Sequence, residues 1–249
     1  MSSNPETGHA KNVSNFESLL SFVKGYGASY NPTRDAIRIT ALDEILANAK
    51  KSLTEIDTLF PGYTNAVSAR ESAFVPLGKL ITRVNNAIKA TDTTQQVDES
   101  VKTLVRKLQG TRATAKISDE DKKQLEAEGK EVNQISASQM GYDNRLENFY
   151  KLIMLLQSIP QYNPNEEDLK ISTLTALYED LKTKNTAVVN AYTPLSNARI
   201  ARNEVMYTEL TGLVDVSSDA KVYIKSVFGA SSPQYKQVSK LEFKSLAKL

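Results

Sequence analysis

YNPTRDAIRITAL, residues 30–42, and YNPNEEDLKISTL, residues 162–174, decide how this chain is read. Sliding the sequence by 132 positions lays Tyr30-Asn31-Pro32 on Tyr162-Asn163-Pro164, Ile39 on Ile171 and Leu42 on Leu174. The match continues with Thr54 on Thr186, Asn65-Ala66 on Asn197-Ala198, and Ala69-Arg70 on Ala201-Arg202. Roughly a quarter of the positions from 30 to 70 are identical, several times what chance composition gives. Mismatches conserve character, as in Ile37 with Leu169 and Phe60 with Tyr192. Beyond one inserted residue Leu77 and Leu80 match Leu210 and Leu213, and 102–110 echoes 221–229. The chain contains itself twice.

Working outward, each copy reads as three helical segments. The opener of the first copy spans 16–24, with Ser14 and Glu17 spaced as a capping box, and its counterpart spans 145–158. Each opener ends before a Tyr-Asn-Pro turn, because the residue before proline is steered away from helix. In the middle segment Leu42, Leu46, Ala49, Leu53, Ile56 and Phe60 step by four and three, the seam of helices packed at shallow angles. Pro61 and Pro194 are expected to stop these middle helices, with a third helix starting just after. A further helix over 97–108 should end at Gly110.

The expected fold is therefore all-α: two tandem copies of a three-helix antiparallel unit forming an elongated helical bundle with pseudo-two-fold symmetry. The boundaries follow as a flexible N-terminal tail over 1–13, repeat 1 over 14–110 and a charged linker or exposed helix over 111–139. Repeat 2 then covers 140–230 and a Lys-rich tail covers 231–249.

Composition closes several functional classes. Among 249 residues there is no Cys and one His, with 31 basic against 29 acidic residues. Without Cys there are no disulfides, thiolate metal sites or Cys nucleophiles. A single His, set in the polar opening stretch, does not supply a Ser-His-Asp site or the Glu-x-x-His pairs of a helical di-iron centre. The longest aliphatic run, Leu152 to Leu156, is far short of the roughly 20 residues a spanning helix needs. No membrane insertion, no metal, no cofactor and no catalytic residue are expected. The expected compartment is the cytoplasm, since no basic segment followed by an apolar one marks a secretory leader.

Ala201 to Glu204 (Ala-Arg-Asn-Glu), Tyr223 to Gly229 and Ser232 to Gln237 resemble a group of duplicated all-helical proteins of Bacteroidota-type bacteria. The resemblance implies a bacterial, duplicated helical chain. It brings no activity, cofactor or site residue with it.

Four polar residues recur at the same place in both copies: Asn65 and Arg70, Asn197 and Arg202. Arg on the inward stripe of a helix needs a carboxylate or carbonyl partner, because an unpaired buried charge costs several kcal/mol. An interhelical clamp fixing register is the expectation, with Glu44, Glu55 and Glu71 as acids in the first copy; an anion pocket is the sharper alternative. Lys102, Arg106, Lys107, Arg112 and Lys116 form a stretch without an acid between Glu99 and Asp119. Lys236, Lys240, Lys244 and Lys248 repeat every four residues. Together they are candidate contacts for a polyanion or a partner, although cations also favour helix C-termini and solvated faces. Glu166, Glu167 and Asp168 suit the start of a helix, where acids complement its dipole. Gly25-Tyr26-Gly27 lacks the third glycine and preceding strand of a nucleotide loop.

The expectation is a non-enzymatic structural or protein-interaction scaffold, able to self-assemble, with another protein or a second copy in a homo-oligomer as partner. The alternative is a polyanion- or nucleic-acid-binding helical module using 102–116 and the C-terminal lysines. An enzyme or pore former is the third and least supported class.

Overall fold

The computed structural model describes residues 5–111 and 140–245. Every regular element among them is helical: α1 (Pro5–Gly25), α2 (Ile39–Phe74), α3 (Leu77–Lys89), α4 (Gln95–Gln109), α5 (Tyr142–Gln157), α6 (Ile171–Tyr207), α7 (Leu213–Phe228) and α8 (Pro233–Ser239). Short 3-10 turns at Asp35–Ile37 and Glu167–Leu169 lead into α2 and α6. Residues 112–139, and with them most of the expected linker, lie outside the described residues.

The chain divides into two compact units, one made of 1–63 and 191–249, the other of 64–190. These units cut across the boundaries expected at 14–110 and 140–230. The amphipathic pattern says that each stripe must be covered but not which helices cover it, and the cover comes from the far part of the chain.

In the first unit Phe16, Leu19 and Val23 of α1 pack with Leu42 and Ala49 of α2, Met206 of α6, and Leu213, Val216, Ala220 and Ile224 of α7. A smaller cluster joins Ile56 to Leu195 and Ala198. In the second unit Leu77, Ile81, Val84 and Ile88 of α3 meet Val101, Val105 and Leu108 of α4. Phe149, Leu152 and Leu156 of α5 and Leu174 and Leu181 of α6 complete that core. Each Val, Leu, Ile, Phe or Met among them taken fully out of water contributes about 1.5–3 kcal/mol, so these stripes are what hold the helices together.

Three expectations about boundaries give way. α1 begins at Pro5, not near Ser14, so 5–13 is helix rather than flexible tail. Its inward face there is polar, with His9 and Asn12 buried beside Val13, and that hides it from an apolar count. Ser14 does not cap; its carbonyl accepts from Ser18 Oγ inside the helix at 3.0 Å.

Both long helices also run through their prolines, Pro61 in α2 and Pro194 in α6. Each proline is exposed, and so are Asp57 and Asn190 four residues earlier, whose carbonyls lose an intrahelical donor. Water meets those carbonyls, so the break is tolerated.

The 231–249 stretch is likewise not a free tail over its described part. α8 starts with Ser232 as N-cap and Pro233 at its first turn, and a segment without regular structure follows to Ser245.

Local signals hold elsewhere. α4 ends at Gly110, whose φ of 68° is the left-handed conformation of a helix stop. Gly212 precedes α7 where an added Cβ would stand 2.6 Å from the Thr208 nitrogen, so only glycine fits.

Candidate functional site

Arg70 lies in the last turns of α2. Its guanidinium sits 3.8 Å over the Tyr142 ring, and Nη1 donates to Asn185 Oδ1 at 3.1 Å. Asn185 in turn donates through Nδ2 to Asp143 Oδ1 at 2.7 Å. The partners come from α5 and α6, not from Glu44, Glu55 or Glu71 as expected. Beside this group Arg145 Nη2 donates to the Phe74 carbonyl at 3.2 Å, and Phe74 meets Tyr142 edge-on at 4.9 Å. Burial lowers the Arg145 pKa against the opposing pull of Tyr142. The arrangement ties three helices of the second unit by polar contacts and stacking, each link worth about 0.5–2 kcal/mol.

Arg202 is buried, and its Nε and Nη2 both reach Asn203 Oδ1, at 3.2 and 3.0 Å. Asn65 and Asn197 are exposed and do not join either arginine. Their outward placement follows from the helices running on through Pro61 and Pro194, which sets their phase.

The described basic residues lie on α4 of the second unit and on the 231–245 stretch of the first. On α4 Lys102 pairs with Glu99 at 2.8 Å, Arg106 is half-buried and Lys107 is exposed. Lys107 and Lys151 hold the Glu147 carboxyl below its usual range, the hydrogen bond from Lys151 being the larger cause. Lys236 lies in the last turn of α8, which stops at Ser239; Lys240 is its C-cap, still in the right-handed helical region at φ −79° and ψ −12°, and Lys244 follows on chain without regular structure. Arg112, Lys116 and Lys248 lie outside the described residues.

Lys244 is held by its backbone instead. Its N–H donates to Asn12 Oδ1 and its carbonyl accepts from Asn12 Nδ2, both at 2.9 Å. Asn15 Nδ2 donates to the Glu242 carbonyl at 2.7 Å, and Lys221 Nζ to the Leu241 carbonyl at 2.9 Å. His9 Nδ1 meets the Tyr207 hydroxyl at 2.7 Å beneath this segment. These asparagines do the work of a neighbouring strand.

The feature that sequence reading passed over is an apolar face on α5. The buried stripe of that helix (Leu146, Phe149, Leu152, Ile153, Leu156) leaves Tyr150 and Met154, one turn apart, on the other side. They are 46% and 38% exposed. Tyr150 stacks on Tyr178 of α6 with centroids 5.1 Å apart, and Lys182 lies 5.7 Å from the Tyr178 centroid. The i, i+4 spacing of 150 and 154 was the available signal, masked because aromatic positions look like core by default.

Comparison with family models, curated proteins and solved structures finds no match for this chain. Among the described residues no helix is long and apolar enough to cross a membrane. Fold and geometry together define the class as an all-helical protein of two bundled units.

Proposed function

We propose that this chain is a non-enzymatic, cytoplasmic scaffold that binds protein, and first of all a second copy of itself, through the Tyr150–Met154–Tyr178 face. The exposed Tyr150 and Met154, side by side with Tyr178, carry the reading. Aromatic residues and Met are enriched at protein interfaces, where their desolvation supplies most of the binding energy. Lys151, paired with Glu147, and Lys182 give the face a polar rim.

The duplication sharpens the argument. Tyr30 donates its hydroxyl to the Ile37 carbonyl and Tyr162 to that of Leu169, each at 2.8 Å and 132 positions apart. Buried Asn15, Phe16, Leu19 and Leu20 of α1 recur 133 positions later as Asn148, Phe149, Leu152 and Ile153 of α5. In α3 the buried positions 77, 81, 84 and 88 have the spacing of 213, 217, 220 and 224 in α7, so Leu77 answers Leu213 and not the Leu210 of the sequence match, and 221–229 belongs with α3 rather than with 102–110. These pairs support two copies of one plan, with α7 answering α3. At the places of Tyr150 and Met154 the first copy has Glu17 and Ser21. One plan folds with either set, so the apolar set serves something besides folding.

Light scattering on size-exclusion fractions tests the proposal, at low and physiological salt, with nuclease-treated protein and then with added nucleic acid. The expected result is a defined assembly that ignores salt and nucleic acid and falls to monomer in the Tyr150→Ser/Met154→Ser protein. A monomer that shifts only with nucleic acid, and releases it as salt rises, overturns the proposal in favour of polyanion binding.

A further inference from the structure

Where the first unit has a tyrosine, the second has a hole. In the first unit the Tyr30-Asn31-Pro32 turn packs on α7. Tyr223 of that helix sets its ring edge-on to Tyr30, with centroids 5.1 Å apart at 89°. The Tyr223 hydroxyl accepts the Asn31 backbone N–H at 3.2 Å. Arg34, just beyond the turn, pairs with Asp219 of α7.

In the second unit the Tyr162-Asn163-Pro164 turn packs on α3 by the same plan. Asp168, four residues beyond Pro164, pairs with Arg83 of α3, so an ion pair joins turn region and helix in each unit, from different turn positions and with the signs reversed. Arg83 lies six positions after Leu77, as Asp219 lies six after Leu213. Ten positions after each leucine stand Ala87 and Tyr223. The ring present in one unit is therefore missing from the other. In its place is a cleft of about 590 Å³ lined by Ala87, Ala90, Asn86, Arg83, Tyr162 and Asn163. Its volume falls within the roughly 300–1,000 Å³ of small-molecule sites. The Asn163 N–H, with no phenol to meet, turns back to the Gln161 carbonyl at 3.0 Å.

We infer that this cleft binds a small para-substituted phenol, whose ring takes the place of Tyr223 beside Tyr162 and whose hydroxyl accepts the Asn163 N–H. The first unit holds the template for the complex in its own chain. Apolar ring contact over Ala87 and Ala90 supplies affinity, and the hydroxyl supplies selectivity, because it can take the exposed Asn163 N–H from the Gln161 carbonyl whereas a plain ring cannot. The inference rests on the duplication stated above and is independent of the Tyr150 face.

The probes are p-cresol and toluene, titrated into the full chain while backbone amide shifts are followed. Saturable shifts at Tyr162 and Asn163 are expected with p-cresol, with toluene several-fold weaker. Ala87→Tyr supplies the missing ring from within and should abolish the shifts; Ala87→Leu serves the same purpose should the larger side chain fail to fit. Tyr223→Ala should open a second p-cresol site, read at Tyr30 and Asn31. Three outcomes each overturn the inference: no saturable shift in the unsubstituted protein, shifts that survive both Ala87 substitutions, or equal binding of toluene. None of these readouts depends on the mass of the assembly, so the scaffold reading stands or falls separately.

Discussion

Arg70 and Asn185, 115 positions apart, meet through Nη1 and Oδ1 at 3.1 Å, and the Asn185 amide passes the contact on to Asp143 at 2.7 Å. Asn185 is buried, and Leu53 stands at its place in the first copy. In the second unit the amide bridges a cation and a carboxylate. Asn185→Ala takes a hydrogen-bond partner from the half-buried Arg70, while the exposed Asp143 returns to water, so the loss should be about 1 kcal/mol. Urea denaturation followed by circular dichroism should show the loss. An unchanged midpoint would mean that the guanidinium rests on the Tyr142 ring alone.

Pro61 and Pro194 each cost their helix about 3 kcal/mol relative to alanine, reduced here because the freed carbonyls face water. Both sites are exposed, so Pro61→Ala and Pro194→Ala should each stabilise the protein, by about 1–2 kcal/mol, with a higher Tm. A drop in stability would show that the prolines shape a bend the packing requires.

Those two prolines also mark where the sequence stops being legible. A helical class, the two Tyr-Asn-Pro turns and the stop at Gly110 can be read because each rests on local chemistry: seam spacing, a restricted φ, a left-handed residue. Proline inside α2 and α6 reads as a stop because local chemistry does not record that burial of Leu195 and Ala198 just beyond Pro194 favours continuing. The polar burial of His9 and Asn12 conceals the start of α1 for the same reason. Covering of one stripe by distant helices leaves no local trace at all. At the candidate face the difficulty reverses: Tyr150 and Met154 resemble core residues, and only the stripe of α5 reveals their side.

Tyr162 offers a pH test. Burial, then the nearby Asp168 and Glu166 carboxylates, push its phenol up from 10.0 to about 12, and burial likewise raises Tyr30. A phenol whose pKa is higher in the folded state ionises first in the unfolded chain. Its stabilisation is therefore complete below pH 10 and is lost as pH rises from there toward 12. Stability measured from pH 9 upward should fall across that window. Tyr162→Phe should flatten part of the fall, while losing the bond to the Leu169 carbonyl at a cost of about 1–2 kcal/mol at neutral pH. A slope identical in the variant would exclude Tyr162 as a source.

Asn12 grips Lys244 by both backbone groups, and an amide alone among side chains of this size supplies donor and acceptor together. Asn12→Asp keeps the acceptor for the Lys244 N–H but sets a carboxylate oxygen against the Lys244 carbonyl, so repulsion replaces one bond. Asn12→Ala removes both bonds without the repulsion. Hydrogen exchange at the Lys244 amide should therefore speed up in both variants, and stability should fall further in the aspartate variant, by about 1 kcal/mol or more relative to alanine. The bond from Asn15 to the Glu242 carbonyl persists in each, so loosening should be greatest at 243–245 and fade toward Leu241. Equal exchange in all three proteins would show that the Lys221 contact and the half-buried Phe243 hold the segment without the asparagine.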